Sequence, residues 1–384
     1  MVRQTTPSEG AEKNGVEHIE CLFEGLPEGL SISQKEQAVE FLTQNSRVFS
    51  ESEFDIGRTH LVQHKIETNE SRPVWQVLRR HPVAYLPLID DYVQDMQDSG
   101  ITEPRIGSEW VSNIVLVRRK DGALRYCIDY RGLNAVTTKA NYPLPCIDAC
   151  HDSLGGNTYF SSLDMRSGYW QAPVREEDID KTCFVTRKGI FGFQVLPFGL
   201  CNAPSTFQRL VDMALAGLTW EICLAYLDDL IIFSRTFDQH MERLQKVFDR
   251  LVEAGLKLKP SKCALFQRRV KFLGSIVSGE GIEPDPEKVH VVAQWPTPRT
   301  VTEVRAFVAL ASYYRRHIQS FAEIARPLHE LTKKNVRFFW GAAQERAFER
   351  LKHAPVLTMP LDKGQYVLDT VWYNLTGSRV HACK

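Results

Sequence analysis

The segment ICLAYLDDLIIFS (222–234) sets the tightest limit on what this chain can fold into. Two adjacent acids, Asp228 and Asp229, interrupt an otherwise apolar run. Buried, unpaired carboxylates cost free energy. On a continuous strand the two side chains point to opposite faces, so one of them faces the core. A tight turn between two short strands removes the conflict by placing both near one exposed edge. There they repel each other unless a cation neutralises them, and hard divalent ions such as Mg2+ prefer carboxylate oxygen. A third acid at the end of a neighbouring strand completes such a site, and Asp164, closing TYFSSLD (158–164), is the candidate. Two ions held this way stabilise the attacking and leaving oxygens of an in-line phosphoryl transfer. A bare Asp-Asp pair is more often a hairpin turn with solvated acids, so the flanking residues must decide.

The chain has 384 residues, enough for two or three domains or subdomains. Its hydrophobic fraction of 43% and charged fraction of 24% are those of a globular protein. No run approaches the roughly 18 apolar residues of a membrane helix, and the polar start MVRQTTPSEGAEKNG lacks the apolar centre of a secretory signal. The nine cysteines form no CxxC pairs, which argues against a zinc ribbon or a disulfide framework and for reduced, buried thiols. Formal net charge is zero, which on its face argues against a nucleic-acid binder. Residues 243–275, however, hold nine Lys/Arg against two acids, and residues 101–140 hold seven against four. Local basic segments on a balanced protein suit a polyanion lying in one groove.

Hydrophobic spacing predicts a helix at 32–43 and a helical pattern through 73–100 ending at Gly100. WVSNIVLVRR (110–119) and LRYCID (124–129) flank Lys120-Asp121-Gly122 as a hairpin. A second strand pair surrounds Lys188-Gly189, and 204–218 reads as a helix with Ser205 as N-cap. Amphipathic helices are expected at 238–254 and 301–317, the second opened by a Thr300/Glu303 capping box, with VKFLGSIVS (270–278) as a strand between them. His60 and His64 stand four apart but in an extended segment without a nearby Glu, and read as structural.

With these elements placed, the motifs become recognisable. Tyr226-Leu227-Asp228-Asp229 resembles the YxDD box of reverse transcriptases. LDMRSGYWQAPV (163–174) resembles the motif carrying their first catalytic aspartate, and LPFGLCNAPSTFQ (196–208) the nucleotide-side loop and helix between them. DIGRTHLVQHKIET, VRRKDGALRYCIDYRGLNAVT, AGLKLKPSKCALF, FLGSIVSGEGIEPDPEKV and ALASYYRRHIQSFAEIARPLHELTKK extend the match in order, so that residues 40–370 are similar to the gypsy-type LTR retrotransposon polyprotein (Metaviridae).

The resemblance implies an α+β, right-hand polymerase fold with fingers, palm and thumb followed by a connection domain. Residues 1–45 would be a partly disordered leader, 46–236 fingers and palm, 237–295 thumb, 296–370 connection domain and the start of a truncated RNase H, and 371–384 an unrelated tail. It implies catalytic and metal-holding roles for Asp164, Asp228 and Asp229, with two Mg2+ ions or Mn2+ in their place. Arg119, Lys120 and Arg125 would hold the triphosphate, since an Arg fork grips phosphate. Tyr169 would be the aromatic gate beneath the incoming sugar, clashing with a 2′-hydroxyl. Phe198, where retroviral enzymes carry Gln, would pack against the nucleotide. Tyr226, Phe272, Leu273 and Gly274 would form the primer grip.

The implied reaction is templated addition of deoxynucleoside triphosphates to a primer 3′-hydroxyl on RNA or DNA. The implied setting is cytoplasmic, inside a capsid-like particle, with the nucleus as a further location, no membrane, and an open oligomeric state. RNase H activity is expected to be absent, because Leu368-Asp369-Thr370 runs into Val371, where the family supplies an aspartate. The rival reading is a catalytically silent nucleic-acid-binding remnant, against which the three intact aspartates stand.

Overall fold

The computed structural model describes residues 16–118, 122 and 124–353. The expected RNase H junction (355–370) and tail (371–384) lie outside the described residues, as do Arg119 and Lys120. In chain order, helices α1 (Glu20–Glu24), α2 (Ile32–Gln44) and α3 (Leu86–Asp98) precede strands β1 (Thr102–Pro104), β2 (Ser112–Arg118) and β3 (Leu124–Ile128). Next come α4 (Arg131–Val136), α5 (Ile147–Asp152), β4 (Tyr159–Asp164), β5 (Phe184–Thr186), β6 (Gly189–Phe193) and α6 (Ala203–Ala214). Then follow β7 (Cys223–Tyr226), β8 (Asp229–Ser234), α7 (Phe237–Glu253), β9 (Ala264–Gln267), β10 (Arg269–Phe272), β11 (Ser275–Ser278) and β12 (Gly281–Pro284). Helices α8 (Pro286–Ala293), α9 (Val301–Tyr313), α10 (Phe321–Leu331) and α11 (Ala342–Lys352) complete the described chain.

Three sheets organise these elements, with strand orders β1-β6-β5-β2-β3, β7-β8-β4-β9 and β10-β11-β12. In the four-stranded sheet β8 is central and fully buried beyond its first residue, because Leu230, Ile231, Ile232 and Phe233 have apolar neighbours on both faces. That double burial explains why its sequence runs apolar without alternation. Helices α6 and α7 cover one face, with Phe207, Leu210, Leu244, Val247, Phe248 and Leu251 in the same core as Leu230 and Ile232. Leu224, Ile231 and Phe233 face a second core together with Phe160, Phe272 and Val277.

Several expectations need correction. The helical pattern over 73–100 holds only from Leu86, and Trp75 instead forms a bridge to Val111. Pro73 and Pro82 explain this, since the residue before a proline is steered away from helical backbone. Ser205 does not cap α6; the helix starts at Ala203 with Pro204 in its first turn and Asn202 as cap residue. The strand expected over 270–278 is the hairpin β10–β11, turned by Leu273 (φ 46°) and Gly274 (φ 75°). Two consecutive positive φ values make the tight turn that matches strand twist. At the start of α9, Thr300 accepts from Glu303 N, but the Glu303 carboxylate reaches Arg299 N and not Thr300.

The expected domain boundaries shift too. Residues 16–45, read as part of a leader, are built into the fold: Ile19, Leu22, Ala38, Phe41 and Leu42 join the main core, and Phe41 stacks on Phe248 at 5.6 Å. Nor does a new unit begin at 237. Helix α7 buries its apolar stripe against the palm-like sheet, and the core changes only near Val292. From there to Leu351, α9, α10 and α11 enclose their own apolar interior around Phe307, Leu328 and Phe348. No helix among the described residues is long and apolar enough to cross a membrane.

Candidate active site

The site is built on the ends of three adjacent strands. Strands β7 and β8 are joined by a two-residue turn, Leu227-Asp228, closed by the Tyr226–Asp229 pair. Leu227 takes a left-handed φ of 53°, a conformation that costs a non-glycine residue about 1–2 kcal/mol. What holds it is Gln208, fully buried on α6: its Oε1 accepts from Leu227 N at 2.8 Å while its Nε2 donates to Ala225 O at 3.2 Å. One amide thus fastens both sides of the turn. On the other flank β4 pairs antiparallel with β8, and Asp164 lies directly opposite Asp229.

The electrostatics follow from this crowding. Burial, then the charges of Asp164 and Asp229, push the Asp228 carboxyl up to about 6, and Lys262 opposes them. Asp228 Oδ1 is buried with no hydrogen-bond partner. Asp164 has a cationic partner, with Lys262 Nζ 3.1 Å from its Oδ2. Beneath the turn, Gly168 leaves just enough room: a Cβ there would meet Asp228 Oδ1 at 2.6 Å and Phe207 Cζ at 2.7 Å.

A hard divalent cation fits this donor set chemically. Asp164 and Asp229 lie opposite one another at strand ends, with Asp228 in the adjoining turn, and Asp228 carries an orphaned, buried oxygen that a proton donor or cation would satisfy. As the side chains stand, no group of three or more His, Cys, Asp or Glu among the described residues is close enough together to hold a metal ion. Lys262 holds Asp164 in the meantime.

The ring of Tyr169 lies one residue beyond Gly168, half-buried between Phe198 (5.2 Å between centroids) and Phe207 (5.4 Å). Burial, reinforced by Asp228, pushes its hydroxyl up to about 12. Phe198 is 40% exposed and so offers a free aromatic face at the edge of the site. Arg125 is exposed on β3, and Arg118 Nη2 donates to Tyr85 Oη at 2.9 Å.

The expected primer-grip residues divide. The Leu273-Gly274 turn is half-exposed, and Leu273 O accepts a hydrogen bond from Tyr313 Oη on α9. Phe272 is 2% exposed and packs under the sheet beside His151, so its side chain cannot reach a primer and serves the core. Tyr226 sits half-buried at the end of β7. The basic run 243–275 does not form one free cationic face either. Lys257 bonds Asp55, Lys262 bonds Asp164, Arg269 bonds Glu283, Lys271 bonds Asp285 and Glu287, and Arg268 stacks on Tyr159 at 3.7 Å. His64 is structural as expected: buried, with Nδ1 2.9 Å from Thr206 Oγ1.

Gln208, Gly168 and Lys262 were not singled out from sequence. Each lies inside a quoted motif, yet only the fold shows what it touches.

Residues 117–277 match the family described as reverse transcriptase (RNA-dependent DNA polymerase). The chain is 36% identical over 329 residues to the retrovirus-related Pol polyprotein from transposon 297 of Drosophila melanogaster, covering 83% of this chain and 31% of that one. To the corresponding polyprotein from transposon gypsy of the same fly it is 32% identical, covering 84% and 33%. It therefore spans about a third of the length of these relatives. Among solved structures, a foamy viral protease–reverse transcriptase in complex with double-stranded DNA aligns with a TM-score of 0.79 at 24% identity, covering 93% of this chain and 63% of that one. The foamy viral enzyme in complex with an RNA/DNA hybrid aligns with a TM-score of 0.75, also at 24% identity, covering 89% and 46%. These likenesses show the polymerase fold.

Proposed function

The chain belongs to the reverse transcriptase family through residues 117–277, and on that premise we propose that it is an RNA-directed DNA polymerase adding deoxynucleotides to a primer 3′-hydroxyl. The observation that carries the reading is the pairing of Asp164 with Asp229 beside an Asp228 whose Oδ1 is buried and unpartnered. Like charges directly opposed across a strand pair destabilise it, and a divalent cation between the three acids would relieve that repulsion.

Reverse transcriptases use divalent metal ions. Asp164, Asp228 and Asp229 would hold two Mg2+ here. When bound, the ions would neutralise charge on the attacking and leaving oxygens. The chain's own groups do the remainder. Lys262 must release Asp164 Oδ2, a small cost for a half-exposed ion pair. Gln208 keeps the Leu227-Asp228 turn rigid. The Tyr169 ring, backed by Phe207, forms a wall on which a deoxyribose rests and against which a 2′-hydroxyl collides. Phe198 extends that wall toward the base. Arg125, with Arg119 and Lys120 of the same hairpin, would neutralise the triphosphate, and the Leu273-Gly274 turn would carry the primer end.

Template-primer RNA and DNA are the proposed partners, and a capsid-like particle the proposed setting. The thumb role passes from α7 to the helices beyond 285, because α7 is packed into the palm. Extension of a labelled primer on an RNA template with Mg2+ tests the reading. Templated products from the purified chain, lost in Asp228→Asn, support it; no extension by the wild-type chain with either Mg2+ or Mn2+ rejects it.

A further inference from the structure

We propose that Asp212 and Tyr142 are positioning residues for the catalytic turn and act on it through Gln208. The inference rests on the polymerase reading above and deepens it. Gln208 can hold Leu227 only in one orientation of its amide. Turned over, its NH2 group would face Leu227 N–H, donor against donor, and its oxygen would face Ala225 O, acceptor against acceptor. The two ends of an amide have nearly the same shape, so packing alone discriminates poorly between them. Asp212, four residues further along α6, adds to the discrimination that these two backbone contacts make. Its Oδ1 accepts the other Nε2 proton of Gln208 at 3.0 Å. A carboxylate accepts only, so it tolerates the NH2 end of the amide and rejects the oxygen end.

Asp212 is in turn held from the far side. Tyr142 Oη donates to Asp212 Oδ2 at 2.6 Å, from the segment between α4 and α5. This bond is the largest cause pushing the Tyr142 hydroxyl up to about 12. A single relay therefore runs from Tyr142 O–H to the Asp212 carboxylate, to the Gln208 amide, and on to Leu227 N–H beside Asp228. Asp212 and Tyr142 are both only half-buried. Among the described residues, neither side chain hydrogen-bonds the backbone of another element, as a purely architectural polar residue usually does. Their side-chain hydrogen bonds lead to the one side chain that fastens the turn.

The test uses the full chain, with kcat and KM for the incoming deoxynucleotide measured by single-nucleotide primer extension. Asp212→Ala should lower kcat by about five- to tenfold and leave KM within about twofold, because the loss falls on geometry reached in the transition state. Asp212→Asn should restore near wild-type kcat, since its carbonyl can still receive Gln208 and its NH2 can meet the Tyr142 oxygen. Tyr142→Phe, which keeps the ring, should cost about two- to threefold in kcat. The decisive readout is coupling: Asp212→Ala combined with Gln208→Ala should be no slower than Gln208→Ala alone, because one acts through the other. Independent, multiplying losses in the double variant overturn the proposal, as does an unchanged kcat in Asp212→Ala. If Asp212→Ala fails to fold, Tyr142→Phe decides the matter, and wild-type kcat there overturns it. A wild-type chain that extends no primer overturns the polymerase reading and this proposal with it, whereas the other failures overturn this proposal alone.

Discussion

Asp164 and Asp229 face one another as a directly paired couple across the β4–β8 ladder. The pair brings two negative charges within cross-strand contact distance at the point where Asp228 is already losing solvation. Only Lys262 offsets part of that repulsion among the causes acting on Asp228. The fold therefore stores unfavourable electrostatics at the place where the proposed cation would bind.

Replacing Asp228 by Asn tests that view in two ways. Primer extension should fall by at least about a hundredfold, while template-primer affinity measured by fluorescence anisotropy stays within about twofold. Without divalent ions the variant should also unfold at a higher temperature than wild type, because one buried charge and two repulsions are gone. A variant that extends primers at near wild-type rate would remove Asp228 from the chemistry.

Tyr169→Val should raise ribonucleotide use relative to deoxynucleotide use at least tenfold, about 1.4 kcal/mol of discrimination. The ring is braced by Phe198 and Phe207, so the aliphatic substitute leaves a gap and does not trigger collapse of the wall. Competition between ATP and dATP opposite the same template base reads the ratio, and an unchanged ratio rejects the gate.

Gly168→Ala should be more harmful than its size suggests. Its methyl would press on Asp228 Oδ1 and the Phe207 ring, both closer than 3 Å. Overpacking of this kind costs about 1–3 kcal/mol of stability, and displacement of Asp228 should lower extension by at least about tenfold. Thermal unfolding and single-turnover extension measure the two effects; a fully active, fully stable variant would contradict the contact.

Acid should destabilise the chain through His64. Burial lowers its pKa from 6.5 to about 4. The unfolded chain thus takes up the proton first, so stability is present above pH 6.5 and is lost as pH falls toward 4. The shift corresponds to about 3 kcal/mol over that window. His64→Gln should flatten the pH dependence of unfolding between 6.5 and 4 in urea titrations, and an unaltered slope would show that other groups dominate.

How much of this was readable in the sequence depends on how local the cause was. The turn at Leu227-Asp228 was legible because two acids in an apolar run have few stable solutions. Asp164 followed from its place at the end of an expected strand and from family resemblance. The role of Gln208 was hidden, since its partner Leu227 is 19 residues away and meets it only after α6 docks on β7. Part of the basic run was opaque for the same reason: Lys257 finds Asp55 across 202 residues, a pairing no charge count can see. Phe272 looked like a surface reader and proved to be core, because strand register decides which face a residue takes. Helix α7 was assigned to the thumb on its position in the chain, whereas the width of its apolar stripe, extending to Phe248, already required a large partner.

The helices beyond Val292 keep an apolar interior of their own. Their ties to the palm include the Tyr313–Leu273 hydrogen bond and the long Arg315–Asp148 ion pair at 3.9 Å. Two bodies finished separately can be drawn apart like the jaws of a vice, with neither losing its filling. Each of these ties is worth about 1 kcal/mol or less, the scale of a few phosphate contacts. On the polymerase reading proposed above, a duplex entering between them would have to stretch or break only such ties.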